Sequence, residues 1–589
     1  MRIEEIKETP IWRLYEKGRN YHRRVNIYTD TDRNYNFYNG NQWVGAKLGD
    51  VEPVQKNFIK PIVKYKLSVI HDNLYAINYS SQNYENPSFR ETAERYCEIL
   101  NRYASNVWER DEMDYKLRRV TKDAAINDEG IIYVNFNQEK QMPVNEIIKK
   151  NDIYYGNEND DDIQSQPYIL IRKRMPVVNA IDLALSEGLS KSKTDLIIGD
   201  NDTFEESGEA AKDEVDDMVT VVYKMYKKEG TVHFSIATRW LDIVEDIDLG
   251  IKLYPVAHFV WEEKEGSARG EGEVRYLIPN QIEVNRTEVR RVLTVKYQAY
   301  PQKVVDTSKV ANPEALNRVG GVIKTQGQAV DDVHKVVGTI PPAQMSPDVV
   351  KLQEDLIQMT RELAGAGDTA TGLVDAENAS GRAILAVQQA SQAPMMEQKE
   401  SCKTFIELLA RIYLDYLIVY SEDGIMMEEE IVDPVTGENS IQMVNVPQFV
   451  LEELKASVKV DITPKGVYDK FAQEQSLENY LTNGLFNIQR LPELKAYVEA
   501  LDDDSVSPKM KLEKIIKRME EEQAKIAQIE AEAQLMQERA QQFIMGDPDD
   551  QASQMAEAQM QLQEESIKGE EEVKAKEKKQ AEEAEKKGK

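Results

Sequence analysis

Cysteine is scarce in this chain. Cys97 and Cys402 are the only two in 589 residues, too few for a disulfide framework, so folding in a reducing, intracellular setting is expected. The five histidines, at 22, 71, 233, 258 and 334, form no HExxH pair and join no cysteine pair. That excludes the familiar zinc patterns. Ordinary core or surface roles are expected of each, with no metal and no cofactor. Long apolar runs are missing too. The most apolar segment, FIELLARIYLDYLIVY at 405–420, is interrupted by Glu407, Arg411 and Asp415 and is short for a membrane span. The opening MRIEEIKETP lacks the apolar core of a signal peptide. A soluble protein with no membrane partner is the expectation. Positive charge is in the minority: 74 Lys and Arg stand against 104 Asp and Glu, for a net charge of −30. Tight, general nucleic-acid binding wants the opposite sign, because phosphate neutralisation supplies most of its affinity. A chain past which nucleic acid merely slides is not excluded. A charged fraction of 30% with 41% hydrophobic residues suits extended, solvated helical surface better than a compact enzyme.

What is present reads as α+β, mainly helical. Residues 57–79 (NFIKPIVKYKLSVIHDNLYAINY) carry Ile62, Leu67, Ile70 and Leu74 at helical spacing. One or two more helices are expected up to Gly130, then a strand at IIYVNF (131–136). MVTVVYKMYKKEGTVHFSIATRW (218–240) reads as a hairpin turning at Lys228-Glu229-Gly230. The acidic runs GNENDDD near 156 and GDNDTFEESGEAAKDEVDD near 199 read as solvated loops. Residues 271–299 fit a long amphipathic helix through Val274, Leu277, Ile278, Ile282, Val289, Val292 and Leu293, with Pro279 marking either a kink or the true start. Residues 301–345 hold short strand-like pieces such as GGVIKT. At 346–366, Ser346 suits an N-cap, Pro347 the first turn, Asp348 the helix dipole and Gly365 the exit. Val349, Leu352, Leu356, Met359 and Leu363 form its apolar stripe. A very long helix, bent at Pro394, is expected over roughly 380–421, a strand at KASVKVDIT and a helix at AQEQSLENYL. Leu512, Ile515, Met519, Glu522, Ile526, Ile529, Ala533 and Met536 make a heptad seam weakened by Glu522. Residues 546–589 read as a charged, mostly disordered tail.

Catalytic patterns fail one by one. GAGDTATGLVDAENASGR (365–382) places Gly367 and Gly372 with a phosphate-loop spacing, but Leu373 and Val374 follow where Lys and Ser or Thr are needed. DNDTFEESGE lacks the glycine and the alternating oxygen ligands of a calcium loop. No G-x-S-x-G elbow occurs. No catalytic residue and no enzyme activity are expected. Arg286, Arg290 and Arg291 form a local basic cluster in an acidic chain, read either as salt bridging to neighbouring acids or as intermittent contact with a phosphate backbone.

The order of elements, with several quoted stretches, resembles the portal proteins of tailed bacteriophages. FYNGNQW (37–43) is similar to their aromatic Y-x-G-x-Q-W segment, and DEGIIYVNF to their glycine-then-strand segment. LYPVAHFVWEEKEGSARGEGEVRYLIPNQIEVNRTEVR resembles their Pro-Val strand, Gly-x-Gly stretch and helix with Gln281 and Asn285 four apart. NASGRAILAVQQASQ is similar to the start of their long helix. The resemblance covers roughly 35–500. It implies a ring of identical subunits, usually twelve, around a channel for double-stranded DNA. Residues 1–270 would form a wing, 271–299 and 346–366 the stem helices, and 300–345 the clip. A tunnel loop at 367–379 would line the narrowest part, presenting Gly367, Asp368, Thr369, Thr371, Gly372, Asp375, Glu377 and Asn378. Small residues permit such a loop to shift, and its acids would oppose sticking of phosphates. Residues 380–466 would return to the wing and 467–545 would make a crown. The implied partners are the terminase large subunit, a head-tail adaptor, and the major capsid and scaffolding proteins. The implied location is the virion, at a capsid vertex, with the host cytoplasm during assembly. The rival is a coiled-coil scaffold or adaptor with no DNA role, which the heptad seam and acidic tail support. An enzyme without a legible motif is the third possibility.

Overall fold

The computed structural model describes residues 7–47, 52–81, 87–200, 217–318, 320–326, 332, 336–342, 344–367, 393–420, 425–432, 439–448, 451 and 456–464, with a few isolated positions as far as 534. The chain divides into two units, Met1–Gly466 and Val467–Lys589. Almost everything described belongs to the first. AQEQSLENYL, the heptad seam and the tail lie outside the described residues, apart from single helical positions. The architecture is mixed helix and sheet, with helix the larger part.

Two antiparallel sheets organise the first unit. The smaller joins β2 (Glu129–Asn137) to β3 (Met142–Ile148) and β9 (Val256–Val260) in the order β3-β2-β9. Ile131, Ile132, Tyr133 and Val134 of β2 are buried in succession, as expected of a strand covered on both faces. Helix α5 (Met113–Ile126) packs on it, and so does α10 (Met396–Tyr420), whose Tyr416 hydroxyl donates to Val134 O at 3.1 Å. The larger sheet runs β4 (Ile153–Tyr155), β5 (Ile169–Pro176), β6 (Met218–Lys228), β7 (Thr231–Ala237), β8 (Asp242–Asp248). Alternation along β6 sends Val219 and Val221 toward α6 (Val177–Ser186) and Val222 toward Trp12 and Tyr15 of α1 (Pro10–Arg24). The β6–β7 turn has φ of 55° at Glu229 and 94° at Gly230. That double left-handed turn matches strand twist, which explains why Lys-Glu-Gly was readable as a hairpin.

One helix assignment fails. The helix expected over 57–79 stops at Ile70 (α3, Ile59–Ile70), and Asn73–Ser81 is instead strand β1, paired antiparallel with β14, Ala456–Pro464. The partner lies far along the chain, and cross-strand pairing overrides a local helical pattern. The KASVKVDIT strand is this β14. The helical stretch before Gly130 is two helices, α4 (Pro87–Arg110) and α5, broken at Glu112 with φ of 50°. GGVIKT forms only an isolated bridge, Thr325 to Val310. The strand pair within 301–345 is β10 (Lys303–Val305) with β11 (Val337–Thr339).

FIELLARIYLDYLIVY lies in α10. Cys402, Phe405, Ile406, Leu409, Ala410, Tyr413 and Leu417 are buried there, while Asp415 accepts the backbone N–H groups of Lys252 at 2.6 Å and Leu253 at 2.9 Å. The interrupting carboxylate is therefore an anchor for the β8–β9 connection. No helix among the described residues is long and apolar enough to cross a membrane. Pro394 sits in a short 3-10 turn, Ala393–Met395, ahead of α10. Residues 380–392 of the expected long helix are outside the described set.

Candidate functional site

Two helices carry the features singled out in the sequence: α8 (Glu273–Ala299) and α9 (Pro347–Leu363). Pro279 lies inside α8, not at its start. All six buried residues of α8, Val274, Leu277, Ile278, Gln281, Val284 and Asn285, belong to its first half. That half packs against α2 (Ile27–Asn39), α3 and α5. Beyond Asn285 the helix has no fully buried residue.

The change happens at a buried amide network. Gln281 Nε2 donates to Lys56 O (2.9 Å) and to Asn285 Oδ1 (3.0 Å), while Gln281 Oε1 accepts the N–H of Phe58 (3.1 Å). Asn285 Oδ1 accepts the N–H of Lys56 (3.2 Å), and its Nδ2 donates to Gln42 Oε1 (2.5 Å). Gln42 donates in turn to Phe37 O (2.9 Å). Spacing of four puts both α8 amides on one face. Each satisfies a backbone segment that no strand or helix would otherwise pair. Gln42 of FYNGNQW and the Gln281–Asn285 pair, far apart in sequence, are thus one structural element.

At its root α8 is held by a charged hub that the sequence reading did not find. Arg269 is buried. It donates from Nε to Glu158 Oε2 (2.9 Å) and from Nη2 to Glu158 Oε1 (3.2 Å), His22 Nε2 (3.0 Å) and Ile153 O (3.1 Å). Its Nη1 pairs with Glu129, and its guanidinium lies 4.8 Å from the centre of the Tyr155 ring. Glu129 also meets His258 Nε2 at 2.8 Å and accepts from Tyr155 Oη at 3.1 Å. Burial would raise the Glu158 carboxyl, but the Arg269 guanidinium outweighs it and holds the group down to about 2. Glu129 is lowered on the same balance. Burial, with Arg269 beside it, pushes His22 down to about 4, so the imidazole is neutral and accepts from Arg269. Glu158 lies in the GNENDDD run expected to be solvated. That expectation is wrong for this residue, because a buried cation recruits it. The two flanking glycines follow from close approach: a Cβ on Gly270 would meet Glu262 O at 2.3 Å, and one on Gly272 would meet Asn127 C at 2.6 Å. Gly-x-Gly is what lets the chain turn into α8 against β9 and the end of α5.

Helix α9 begins as its sequence reads, with Ser346 Oγ accepting the N–H of Asp348, and Gly365 leaves it at φ of 72°. Its packing is inverted. The two fully buried residues are Gln353 and Thr360. Gln353 Nε2 donates to Glu288 Oε2 at 2.9 Å, and Asn280 Nδ2 donates to Thr360 Oγ1 at 3.0 Å. The contact with α8 is therefore largely polar, joined by the half-buried Leu356 and Ile357. Of the expected stripe, Leu352, Met359 and Leu363 are exposed, at 68%, 61% and 89%. Val295, Tyr297 and Tyr300 of α8 and its exit are exposed as well.

The arginine cluster resolves unevenly. Arg286 pairs with Glu283 at 2.5 Å and Arg291 stands 3.9 Å from Glu288, all exposed or partly so. Arg290 is exposed and has no acidic partner among the described residues. Of the expected tunnel loop only Gly367 is described, half-buried beside Glu362. Asp368, Thr369, Thr371, Gly372, Asp375, Glu377 and Asn378 lie outside the described residues. Four histidines sit in side-chain hydrogen bonds: His22 and His258 in the hub, His71 with Thr121 at 2.7 Å, and His233 with Asp246 at 2.6 Å. His334 is outside the described set. Among the described residues no cluster of His, Cys, Asp and Glu could hold a metal ion.

No curated protein matches the chain. The family model described as phage P22-like portal protein matches residues 174–571, a span that takes in the larger sheet from the end of β5 onward, the Gly-x-Gly root, α8, α9 and α10. With an embedded helix, a polar helix pair and a glycine-rich exit in the order that the quoted motifs implied, the chain belongs to the P22-like family of phage portal proteins.

Proposed function

We propose that this chain closes into a ring of identical subunits, twelve by the family resemblance, at one capsid vertex, and that double-stranded DNA is packaged and ejected through the ring. Its role is structural. Energy for packaging would come from a terminase motor docked on the clip region, 300–345, where head-tail adaptors would bind later. Capsid and scaffolding proteins would meet other surfaces. The wing, stem, clip and crown assignments, and channel roles for residues 367–379 and for Arg286, Arg290 and Arg291, are parts of the same proposal.

The observation that carries it is the inverted packing of α9. Helix α9 buries Gln353 and Thr360 against its partner and leaves Leu352, Met359 and Leu363 exposed, with nothing among the described residues covering that face. Fully burying a leucine or methionine side chain is worth about 1.5–3 kcal/mol, and an apolar stripe on this scale marks an interface. A second copy of the same chain is the occupant that a ring supplies. Thiol labelling tests the point, because Cys97 and Cys402 are buried and burial pushes them up to about 11 and about 12. In Leu352→Cys the new thiol is expected to react rapidly with a maleimide in the monomer fraction and slowly in the assembled fraction. Equal rates in both would remove α9 from the interface.

A further inference from the structure

In a chain of net charge −30, several cations on α3 and α5 and beside them are neutralised. Lys66 pairs with Glu273 at 2.7 Å, Lys116 with Asp111 at 2.5 Å and Lys150 with Asp128 at 2.5 Å. A neighbouring group is not. Lys60 and Lys64 of α3, Arg118, Arg119 and Lys122 of α5, and Lys149 after β3 have no carboxylate within ion-pair distance among the described residues. All six are exposed or half-exposed. They also converge. The ammonium groups of Lys60 and Lys122, from two different helices, stand 5.6 and 5.4 Å from the centre of one ring, that of Tyr38. Lys122, Arg119 and Lys149 all act on the Asp123 carboxyl. That acid is largely withdrawn from the surface, accepting the Tyr35 hydroxyl at 2.5 Å, and burial raises its pKa. Arg118 and Lys122 are one turn apart on α5, as are Lys60 and Lys64 on α3. Arg119 stacks 5.8 Å from the centre of the exposed Tyr115 ring.

The geometry points to a phosphate-backbone contact surface for double-stranded DNA on α3 and α5. This assignment rests on the portal reading, and it moves the strongest DNA-facing charge from the stem arginines, two of which are paired, to these helices. Like-charge crowding without compensation is maintained when a polyanion supplies the counter-charge. A duplex carries about one negative charge per 1.7 Å of its axis, so each cation finds a phosphate within a turn of helix, about 5.4 Å. An acidic protein is the weaker fit, because protein interfaces have an apolar centre and Tyr115 is the one large apolar side chain exposed on α3 or α5. The overall negative charge does not defeat the contact, since repulsion from distant carboxylates is screened beyond about 8 Å at physiological salt.

The test uses the purified full-length chain, imaged for ring formation, and a short fluorescent DNA duplex titrated between about 50 and 200 mM salt. Lys60→Gln, Arg119→Gln and Lys122→Gln combined are expected to weaken binding at least ~10-fold and to lower the slope of log affinity against log salt by roughly 2–3. Lys191→Gln, Lys193→Gln and Lys252→Gln, the same charge change on exposed lysines elsewhere, should leave both nearly unchanged. Wild-type affinity and slope in the α3/α5 variant would overturn the assignment. So would binding of labelled polyglutamate, but not of the duplex, in a manner that needs these three residues. Ring images of the same samples report on the portal reading separately: rings without the expected loss of binding sink only this surface, whereas absent rings sink the larger proposal.

Discussion

Leu352→Glu, Met359→Glu and Leu363→Glu together are expected to give a folded, soluble chain that no longer assembles. The three side chains are exposed in the single subunit, so the substitutions remove little intrachain packing, and exposed surface changes cost little in stability. In a ring the same positions would be buried, and each would place a carboxylate in an apolar contact. Burial of an unpaired carboxylate costs several kcal/mol, repeated at every interface around the ring. The expected result is a monomer by light scattering, with a circular dichroism spectrum and melting curve like those of the parent. Assembly at the parent's concentration would show that α9 turns this face to something other than a sister chain.

Arg269→Met is expected to damage the subunit itself. The substitution keeps the length of the side chain but leaves Glu129 and Glu158 facing each other in the interior without their shared cation. Breaking a buried ion pair from one side costs about 3–5 kcal/mol, which should lower Tm by about 5–10 °C. The pH dependence distinguishes this from lost packing. In the parent, Glu129 and Glu158 are held below their usual range. Their contribution is therefore present above the ordinary glutamate pKa and lost as pH falls toward about 2. His22, lowered to about 4, acts with the same sign: its stability is intact above the ordinary histidine pKa and lost as pH falls through that window. Without Arg269 the largest opposition to burial is gone, leaving only His258 and Lys150 near Glu129 and His22 near Glu158, so both carboxyls shift upward and the variant loses stability as pH rises past the usual glutamate range. The gap in Tm between parent and variant should be widest near neutrality and narrow toward pH ~5. A gap independent of pH would mean that Arg269 acts by packing alone.

Local signals were legible and long-range ones were not. Ser346, Pro347 and Gly365 bracket α9 because caps depend on adjacent residues, and Glu229-Gly230 marks a hairpin because the turn alone sets its φ values. The β1–β14 pairing was invisible, since Asn73–Ser81 has an acceptable helical pattern and its partner begins at Ala456. The hub was hidden for the same reason. Glu158, in a run of acids, looks like solvated surface until Arg269, 111 positions later, is folded against it. The α9 stripe was visible as a pattern, but periodicity states only that one face is apolar. Which face meets α8 is decided by Gln353, Thr360, Asn280 and Glu288, whose pairing turns the apolar side outward. Gln281 and Asn285 were named through the family resemblance, and the structure supplies their reason: they hold residues 56–58 and Gln42 against the helix.

The central claim, a ring of identical subunits with a passage for a duplex, is tested most directly by electron microscopy of the purified chain together with its mass in solution. The account predicts closed rings whose mass is a whole multiple of 67.4 kDa, near twelve by the family resemblance, with a central hole at least as wide as a DNA duplex, about 20 Å, more than the ~12 Å of its major groove alone. A monodisperse rod of two or three chains joined through the heptad seam would contradict it.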